Sequence, residues 1–340
     1  MLDQLGRPLR DLRISVTDRC NLRCPYCMPK DVFGPGFAFL ERSELLSFEE
    51  ITLVARKLAD RGVVKLRLTG GEPLLRRELE RLVEMLAGID GIDEIALTTN
   101  GLLLGKRART LADAGLSRVT VSLDALDRET LTTMSGTPLW PERVLEAIDV
   151  AAAAGLEPVK VNMVVRRGFN DHRVLAMAER FRHSGHILRF IEYMDVGSSN
   201  GWQPQDVVAA DEILAVIGRR WPLEALAATR EGEVASRYRY SDGAGEIGLI
   251  HSVTKPFCGG CTRARLSADG KLYTCLFATG GHDLRALLRA DDGERRLDAR
   301  LAEIWGARAD RYSAERSELS RSEAHAAASA ARIEMSYIGG

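Results

Sequence analysis

The chain has 340 residues, of which 45% are hydrophobic, 28% are charged and 6% are aromatic. This composition is typical of a globular protein with a large buried core, and it excludes a disordered, collagen-like or disulfide-stapled chain. The 47 basic and 48 acidic residues give a net charge of −1, so the overall positive charge typical of nucleic-acid binders is missing. No apolar run predicts a bilayer span or a signal peptide. The sequence therefore predicts a cytoplasmic protein that binds neither membranes nor nucleic acid.

Strand-like and helix-like patterns alternate along the first half of the chain. The predicted strands are Arg13–Thr17, Val63–Thr69, Glu94–Thr99, Arg118–Leu123, Val159–Val165 and Ile187–Tyr193. The predicted helices are Ser47–Asp60, Arg76–Ala87, Lys106–Ala114, Glu142–Ala154 and Asp171–His183. Strands separated by helices pair in parallel through right-handed crossovers. This order predicts the α/β class and a partial, six-stranded version of the TIM barrel, a (β/α)6 barrel.

The pattern changes after Gly197, which predicts a division into a barrel at 1–197 and a C-terminal region at 198–340. In the second region a helix is predicted at Asp211–Ile217. Its predicted strands are Arg237–Tyr240, Glu246–Leu249 and Lys271–Leu276. From Ser317 the chain is rich in Ala and Ser, and it ends on Gly339-Gly340.

The 6 cysteines form two trios, and the first trio carries the strongest signal. Cys20, Cys24 and Cys27 follow the first predicted strand, with Tyr26 directly before the third cysteine. Trios cannot close on themselves as disulfides, and without a secretion signal metal ligation is the better interpretation. Zinc sites usually combine a Cys pair with a second pair or with histidines. Three thiolates instead suit an iron–sulfur cluster in which one iron stays open to another ligand.

This CxxxCxxC motif resembles that of the radical S-adenosylmethionine (SAM) superfamily, and the sequence Gly70-Gly71-Glu72-Pro73 resembles its GGEP loop. The resemblance implies a 4Fe–4S cluster on the three cysteines, whose open iron binds SAM. It also implies that one electron from the cluster cleaves SAM to a 5′-deoxyadenosyl radical. The residues that the resemblance assigns to SAM binding are Tyr26, Gly71, Ser122 and Met194.

The second trio consists of Cys258, Cys261 and, after thirteen intervening residues, Cys275. One interpretation is a zinc ribbon completed by His251 or His282, because such sites use mixed ligands. The alternative is a second iron–sulfur cluster. Arg263 and Arg265 alternate along an extended segment behind Cys261, and such a pair of guanidinium groups suits a phosphate or a carboxylate.

The motifs CNLRCPYCMP, RLTGGEPLLR, TTNG, VSLDAL, VKVN and CGGCTRARL together resemble the GTP 3′,8-cyclase family over essentially the whole chain. The resemblance implies a radical SAM barrel with a C-terminal extension that carries a second 4Fe–4S cluster. The implied reaction converts GTP to (8S)-3′,8-cyclo-7,8-dihydroguanosine 5′-triphosphate, the first step of molybdenum cofactor biosynthesis. The closing Gly339-Gly340 is similar to a family tail that reaches the active site.

The resemblance assigns GTP binding to residues on the predicted strands and beside the second trio. They are Arg13, Arg67, Thr98, Lys160, Arg263, Ala264 and Arg265. Lys65 shares the parity of Arg67, although a solvent-exposed position at the strand end fits it as well. The sequence leaves open whether Thr98 or Thr99 faces inward. It assigns no role to the histidines.

The resemblance also implies partners, namely a flavodoxin or ferredoxin as electron donor and cyclic pyranopterin monophosphate synthase as the next enzyme. A monomer and a homodimer both remain open. Two other classes are possible. A peptide or sulfatase maturase would usually carry more C-terminal cysteines, and a zinc module that binds RNA would need a more basic and aromatic composition.

Overall fold

The computed structural model describes residues 1–230, 232–316 and 332–339. In chain order the strands are β1 Asp11–Ser15, β2 Lys65–Thr69, β3 Glu94–Thr99, β4 Arg118–Ser122, β5 Lys160–Val165, β6 Ile187–Glu192, β7 Leu223–Leu226, β8 Ser236–Tyr240, β9 Glu246–Ile250, β10 Arg263–Leu266, β11 Lys271–Tyr273 and β12 His282–Asp283. The α-helices are α1 Phe48–Ala59, α2 Leu79–Ala87, α3 Ala108–Asp113, α4 Arg128–Ser135, α5 Pro141–Ala153, α6 Val174–Phe181, α7 Ala210–Arg220, α8 Arg285–Leu288, α9 Gly293–Gly306, α10 Tyr312–Glu315 and α11 Met335–Ile338. Short 3₁₀ turns lie at Pro73–Leu75, Asp171–Arg173, Pro204–Asp206 and Cys258–Gly260.

The first six strands form the predicted partial barrel. Every neighbouring pair from β1 to β6 is parallel, with helices between them. Leu12, Ile14, Leu66 and Leu68 on the outer face are fully buried with the helices in one hydrophobic core. The alternate positions turn polar side chains inward, because successive residues of a strand point to opposite faces. The α/β class and the six-stranded partial barrel are therefore confirmed.

The C-terminal strands extend this sheet at both edges. β10 pairs in parallel with β1, with Asp11 opposite Arg263, and β9 pairs in parallel with β6, with Leu188 opposite Ile247. The described strands therefore make one sheet in the order β12-β11-β10-β1-β2-β3-β4-β5-β6-β9-β8-β7. Covering both edges of the arc protects the backbone groups of β1 and β6 from other partners. The division at residue 197 stays a prediction.

Local sequence signals set the helix boundaries where they are strong. At the start of α1 the hydroxyl of Ser47 accepts from the Glu50 amide at 3.1 Å. The Glu50 carboxylate accepts in return from the Ser47 amide at 2.7 Å, which completes the predicted capping box. Gly62 has φ +103° just beyond the end of this helix, a backbone conformation that suits glycine. None of the described helices is long and apolar enough to cross a membrane.

The described end of the chain, 332–339, packs against the barrel. Arg332 donates to the carboxylate of Asp195 at 2.9 Å, and Glu334 accepts from the Ser198 amide at 2.9 Å. Ile338 is fully buried, and the carbonyl of Gly339 accepts a hydrogen bond from Arg265. The sequence predicts that the pair Gly339-Gly340 reaches the active site. Gly340 lies outside the described residues, so the role of the pair stays a prediction.

Candidate functional site

A cavity of about 360 Å³ lies inside the arc of strands, and both cysteine trios line it. This volume falls within the range of about 300–1,000 Å³ that is typical of small-molecule sites. The predicted site residues that line the cavity are Arg13, Cys20, Cys24, Tyr26, Cys27, Arg67, Gly71, Thr98, Ser122, Lys160, Met194, Cys258, Cys261, Arg263, Arg265 and Cys275. Ala264 is the exception, because its side chain is fully buried in the hydrophobic core.

The loop of the first trio is held by its own backbone and by one arginine. The Cys24 carbonyl accepts from the amides of Cys27 at 3.0 Å and Met28 at 2.8 Å. Arg23 donates to the carbonyls of Cys20 and Phe33, both at 2.8 Å. These bonds tie the two ends of the loop together, so the spacing of the three cysteines sets a compact local turn.

The GGEP loop runs against the cysteine loop as a second layer. The Gly71 amide donates to the carbonyl of Thr17 at 2.9 Å, and the Glu72 amide donates to that of Arg19 at 2.8 Å. A Cβ atom at Gly71 would overlap the Arg19 carbonyl, which explains why glycine is required there. Glycine thus allows the loop after β2 to approach the cysteine loop closely.

Two buried carboxylates support this end of the cavity. Glu72 accepts from the Thr99 hydroxyl at 2.7 Å and from the Asn100 amide at 2.8 Å. Asp124 accepts from the Tyr26 hydroxyl at 2.8 Å. Burial raises the pKa of each carboxyl to about 6. The Tyr26 hydroxyl is therefore engaged by Asp124.

Ser122 and Met194 sit close to the carboxyl ends of strands. Ser122 is the last residue of β4, and Met194 follows β6 by two positions. Asn200 donates to the Met194 carbonyl at 3.1 Å and fixes that loop. The carboxyl ends of the strands are where barrel enzymes carry their active sites.

The second trio is held by side chains that are distant in sequence. Arg7 donates to the Cys258 carbonyl at 2.9 Å, and Arg308 donates to the Cys261 carbonyl at 2.7 Å. Arg263 lies 3.4 Å from the Cys261 sulfur. This end of the cavity therefore depends on the two ends of the chain meeting.

The donor set fits iron–sulfur clusters better than zinc. All six thiols are free, and none of the described His, Cys, Asp and Glu side chains form a group of three that could hold a single metal ion. Zinc draws its ligands to about 2.0–2.3 Å from one ion, whereas the thiolates of a 4Fe–4S cluster bind separate irons. His251 and His282, the candidates for completing a zinc ribbon, do not line the cavity. Within the part of the chain that the structure describes, the cavity lining thus offers no histidine to complete a zinc ribbon at the second trio, and the second cluster stays a prediction.

The pKa of the Cys261 thiol lies below those of Cys20, Cys24 and Cys275. Burial raises the pKa of Cys24 strongly and that of Cys20 to about 11. Burial also acts on Cys261, but the guanidinium groups of Arg263 and Arg308 outweigh it and lower its pKa to about 6. Burial raises the pKa of Cys275 to about 12. Binding iron to such thiols must displace protons.

Between the trios, the inner faces of the strands carry cations with few acidic partners. Burial lowers the pKa of Arg67 to about 10. Burial and, to a smaller extent, neighbouring positive charges together lower the pKa of Lys160 to about 7. Among the described residues, the Lys160 ammonium and the Arg13 guanidinium make no hydrogen bond or ion pair. Lys65 lines the cavity, is buried and pairs with Glu94 at 2.6 Å, so of the two alternatives for this lysine the solvent-exposed one is wrong. Such clustered charge favours an anionic ligand.

Thr98 and Thr99 both line the cavity, but their hydroxyls bond to different groups. The Thr98 hydroxyl accepts from Arg67 at 3.0 Å inside the arc. The Thr99 hydroxyl instead donates to Glu72. Thr98 is therefore the residue that shares a face with Arg67.

Arg189 is a cavity residue that the sequence analysis missed. It lines the cavity from β6 and donates to the Asn162 side chain at 2.9 Å. Burial lowers its pKa to about 9, with a further contribution from Arg67. The available signal was its parity with Ile187 and Ile191, because alternate residues of a strand share a face.

Comparisons with known proteins agree with this geometry. Residues 14–181 match the Radical SAM superfamily model, and residues 186–314 match the model described as Molybdenum Cofactor Synthesis C. The fold is similar to that of Streptococcus suis SuiB bound to S-adenosylmethionine, with a TM-score of 0.62 and 14% identity over 89% of this chain and 69% of that chain. That likeness supports the fold.

Similar curated proteins carry the name GTP 3′,8-cyclase. The chain is 54% identical to that of Acidothermus cellulolyticus, over 99% of this chain and 98% of the relative. It is 48% identical to the protein of Staphylococcus carnosus, over 99% of this chain and 98% of that relative. It is 49% identical to the protein of Xanthomonas axonopodis pv. citri, over 100% of this chain and 99% of that relative. The chain therefore belongs to the GTP 3′,8-cyclase family of the radical SAM superfamily.

Proposed function

We infer that this chain is a radical SAM enzyme that converts GTP to (8S)-3′,8-cyclo-7,8-dihydroguanosine 5′-triphosphate in molybdenum cofactor biosynthesis. The observation that carries the inference is the arrangement of one cavity, with a thiol trio at each end and largely unpaired cations between them. Family membership at 48–54% identity over nearly the full chain supports the same reaction.

We propose that Cys20, Cys24 and Cys27 hold the 4Fe–4S cluster to which SAM binds. When bound, cluster and SAM together supply a 5′-deoxyadenosyl radical, which removes the hydrogen from C3′ of the GTP ribose. The Gly71 loop offers backbone groups next to this trio, and the loop can lie close because it has no side chain there. Ser122 and Met194 complete the proposed SAM site with the backbone of Tyr26, whose hydroxyl is engaged by Asp124.

We assign GTP to the other part of the cavity. A second 4Fe–4S cluster on Cys258, Cys261 and Cys275 would hold the guanine base. Arg13, Arg67, Lys160, Arg263 and Arg265 supply positive charge for the triphosphate, and Thr98 orients Arg67. The Ala264 backbone lies between the two arginines of β10.

The task of the protein in this reaction is to position the substrate and exclude water rather than to move protons. A radical formed in a loose site reacts with whatever lies nearest, so both ends of the nucleotide must be anchored. We further propose that a flavodoxin or ferredoxin donates the electron and that cyclic pyranopterin monophosphate synthase uses the product. Whether the enzyme is a monomer or a homodimer does not enter this assignment.

The test is anaerobic turnover of the full chain with reconstituted clusters, SAM and dithionite. Formation of 5′-deoxyadenosine is measured with GTP, with ATP and without nucleotide, and the nucleotide product is identified by mass. We expect strong stimulation by GTP alone and a product isomeric with GTP. Equal cleavage of SAM under all three conditions would contradict GTP as substrate, and no cleavage at full iron loading would contradict the radical assignment.

Lys160 allows a separate test of the cationic part of the cavity. Lys160→Met removes an unpaired ammonium from the cavity and is expected to weaken GTP binding about tenfold to a hundredfold, the range for one charge-assisted contact. Arg239→Ala is the matched control, because Arg239 is exposed and pairs with Glu224 outside the cavity. Equal affinity in Lys160→Met and the wild type would contradict the assignment of this lysine.

A further inference from the structure

Arg230 brings a cation to the cavity from the C-terminal half of the chain. It lies between β7 and β8, and it lines the cavity together with Lys65 and Arg67. Its side chain is 47% exposed, whereas Lys65 and Arg67 are more buried. Of these three cations that line the cavity, Arg230 is therefore the one nearest to solvent.

Two carboxylates orient this side chain without using its hydrogen-bond donors. Its guanidinium nitrogens lie 3.9 Å from an oxygen of Asp11 and 4.0 Å from an oxygen of Glu94. Both distances are too long for hydrogen bonds. Asp11 accepts from the Thr262 hydroxyl at 2.9 Å, and Glu94 accepts from Lys65 at 2.6 Å. The oxygens nearest Arg230, Oδ1 of Asp11 and Oε2 of Glu94, are not the ones used in these bonds, so both carboxylates attract the guanidinium at ion-pair distance. Within the described ranges Arg230 makes no hydrogen bond, and its N–H groups stay available to another acceptor.

Its distances to Asp11 and Glu94 place Arg230 at the rim that the amino ends of the strands form. Asp11, Lys65 and Glu94 are direct neighbours at the first positions of β1, β2 and β3. Arg230 bridges the two acidic members of this row. Arg67 lies two residues deeper along β2, so Arg67, Lys65 and Arg230 form a path of positive charge from the interior to the rim.

The charges of this path act on each other. Burial lowers the pKa of Lys65 to about 7, and the positive charges of Arg67 and Arg230 add to the effect while Glu94 opposes it. Burial likewise lowers the pKa of Arg67, with a smaller contribution from Arg230. The field of Arg230 therefore reaches the inner cations, as expected of groups that share one polyanionic ligand.

Resting on the proposed function, we propose that Arg230 binds the terminal phosphate of the nucleotide and thereby makes the enzyme prefer the triphosphate over the diphosphate. A phosphate chain along Arg67 and Lys65 presents its outermost phosphate at the rim, where Arg230 has free donors. An arginine suits this position, because its planar fork donates two parallel hydrogen bonds to one phosphate. Asp11 and Glu94 keep the guanidinium in place until the phosphate arrives.

The test compares the binding of GTP and GDP to the reconstituted full chain by anaerobic equilibrium dialysis. Arg230→Ala is expected to weaken GTP binding about tenfold and GDP binding less than about twofold, since GDP lacks the phosphate in question. Arg230→Lys should lie between Arg230→Ala and the wild type, because it keeps the charge without the fork. Arg239→Ala, which removes an exposed arginine outside the cavity, should leave both affinities unchanged.

Equal losses for GTP and GDP, or no loss for GTP, would overturn the inference. If wild-type protein makes 5′-deoxyadenosine in response to GTP while Arg230→Ala keeps the wild-type preference for GTP over GDP, only the proposed role of Arg230 is wrong. If wild-type protein neither binds GTP nor responds to it, the proposed function fails and the inference fails with it.

Discussion

The two cysteine trios face the same cavity but are built in opposite ways. Cys20, Cys24 and Cys27 lie on one loop whose backbone bonds close within a few residues. Cys258 and Cys261 are instead held through Arg7 and Arg308, which come from opposite ends of the chain. The first site is therefore a local structure, whereas the second exists only once the whole chain has folded.

The electrostatic surroundings of the trios differ as well. Buried carboxylates, Glu72 and Asp124, support the first trio, and arginines surround the second. Carboxylates at one end suit the cationic sulfonium and ammonium of SAM, and guanidinium groups at the other suit a polyanionic nucleotide. This difference gives the cavity a direction, with the two proposed ligands at opposite ends.

The largest expected effect comes from removing one ligand of each trio. Cys27→Ser should abolish SAM cleavage and leave about half of the iron, because the second site stays intact. Cys275→Ser should also lose about half of the iron, yet it should still cleave SAM without forming the cyclic nucleotide. Iron analysis and 5′-deoxyadenosine formation check both expectations. Full iron in Cys275→Ser would contradict a cluster at the second trio.

A smaller effect should follow from loosening the support of the second trio. Arg308 is buried and holds the Cys261 carbonyl, with its charge near Asp310 and Asp3. Arg308→Met removes the donor to the Cys261 carbonyl and one of the two arginines beside Asp3, which keeps its pair with Arg7. A buried acceptor that loses its donor costs about 1–3 kcal/mol. Denaturant unfolding of the metal-free protein measures this loss, and iron analysis should show the second site depleted first.

The matched control for Arg308→Met is Arg300→Met on α9. Arg300 is partly exposed and pairs with Glu303 at 2.7 Å, so its removal should change the free energy of unfolding by no more than about 0.5 kcal/mol. Equal effects of the two variants would show that the contact with Cys261 does not hold the second site.

The smallest expected effect is a pH dependence confined to the nucleotide end. Burial lowers the pKa of Lys65 and Lys160 to about 7 in the free protein, and a bound polyanion must raise both values. GTP binding therefore takes up protons above pH 7. As the pH rises above 7, the affinity for GTP should fall by up to about tenfold per pH unit for each lysine. Isothermal titration in buffers of different ionisation enthalpy checks the proton uptake.

Lys160→Arg keeps its charge at every pH of the experiment and should reduce the pH slope by about one unit. SAM binding, for which we propose no lysine, should keep its own pH profile in this variant. An unchanged slope for GTP would exclude Lys160 as the titrating group.

Much of the fold and of the first site was readable from local sequence. β3 has the predicted boundaries, and the capping box of α1 forms as expected, since both depend on neighbouring residues. The short strands β7 and β12 and the short helix α4 were not predicted, because short elements carry too few residues for a clear periodicity. The 14-residue α9 was also missed, although Leu297, Leu301 and Ile304 recur on its buried face. The sequence left open whether Lys65 points inward or into solvent, because its pairing with Glu94 is visible only across two strands.

By itself, the sequence determined the spacing of both cysteine trios, the alternation of strands and helices, and the Gly-Gly step that lets two loops touch. These features depend on residues close together in the chain. Only the tertiary structure decided that the C-terminal strands cover both edges of the barrel, that Thr98 rather than Thr99 faces Arg67, and that Arg189 and Arg230 join the cation set. The physical reason is that burial and charge coupling depend on distances between residues far apart in sequence.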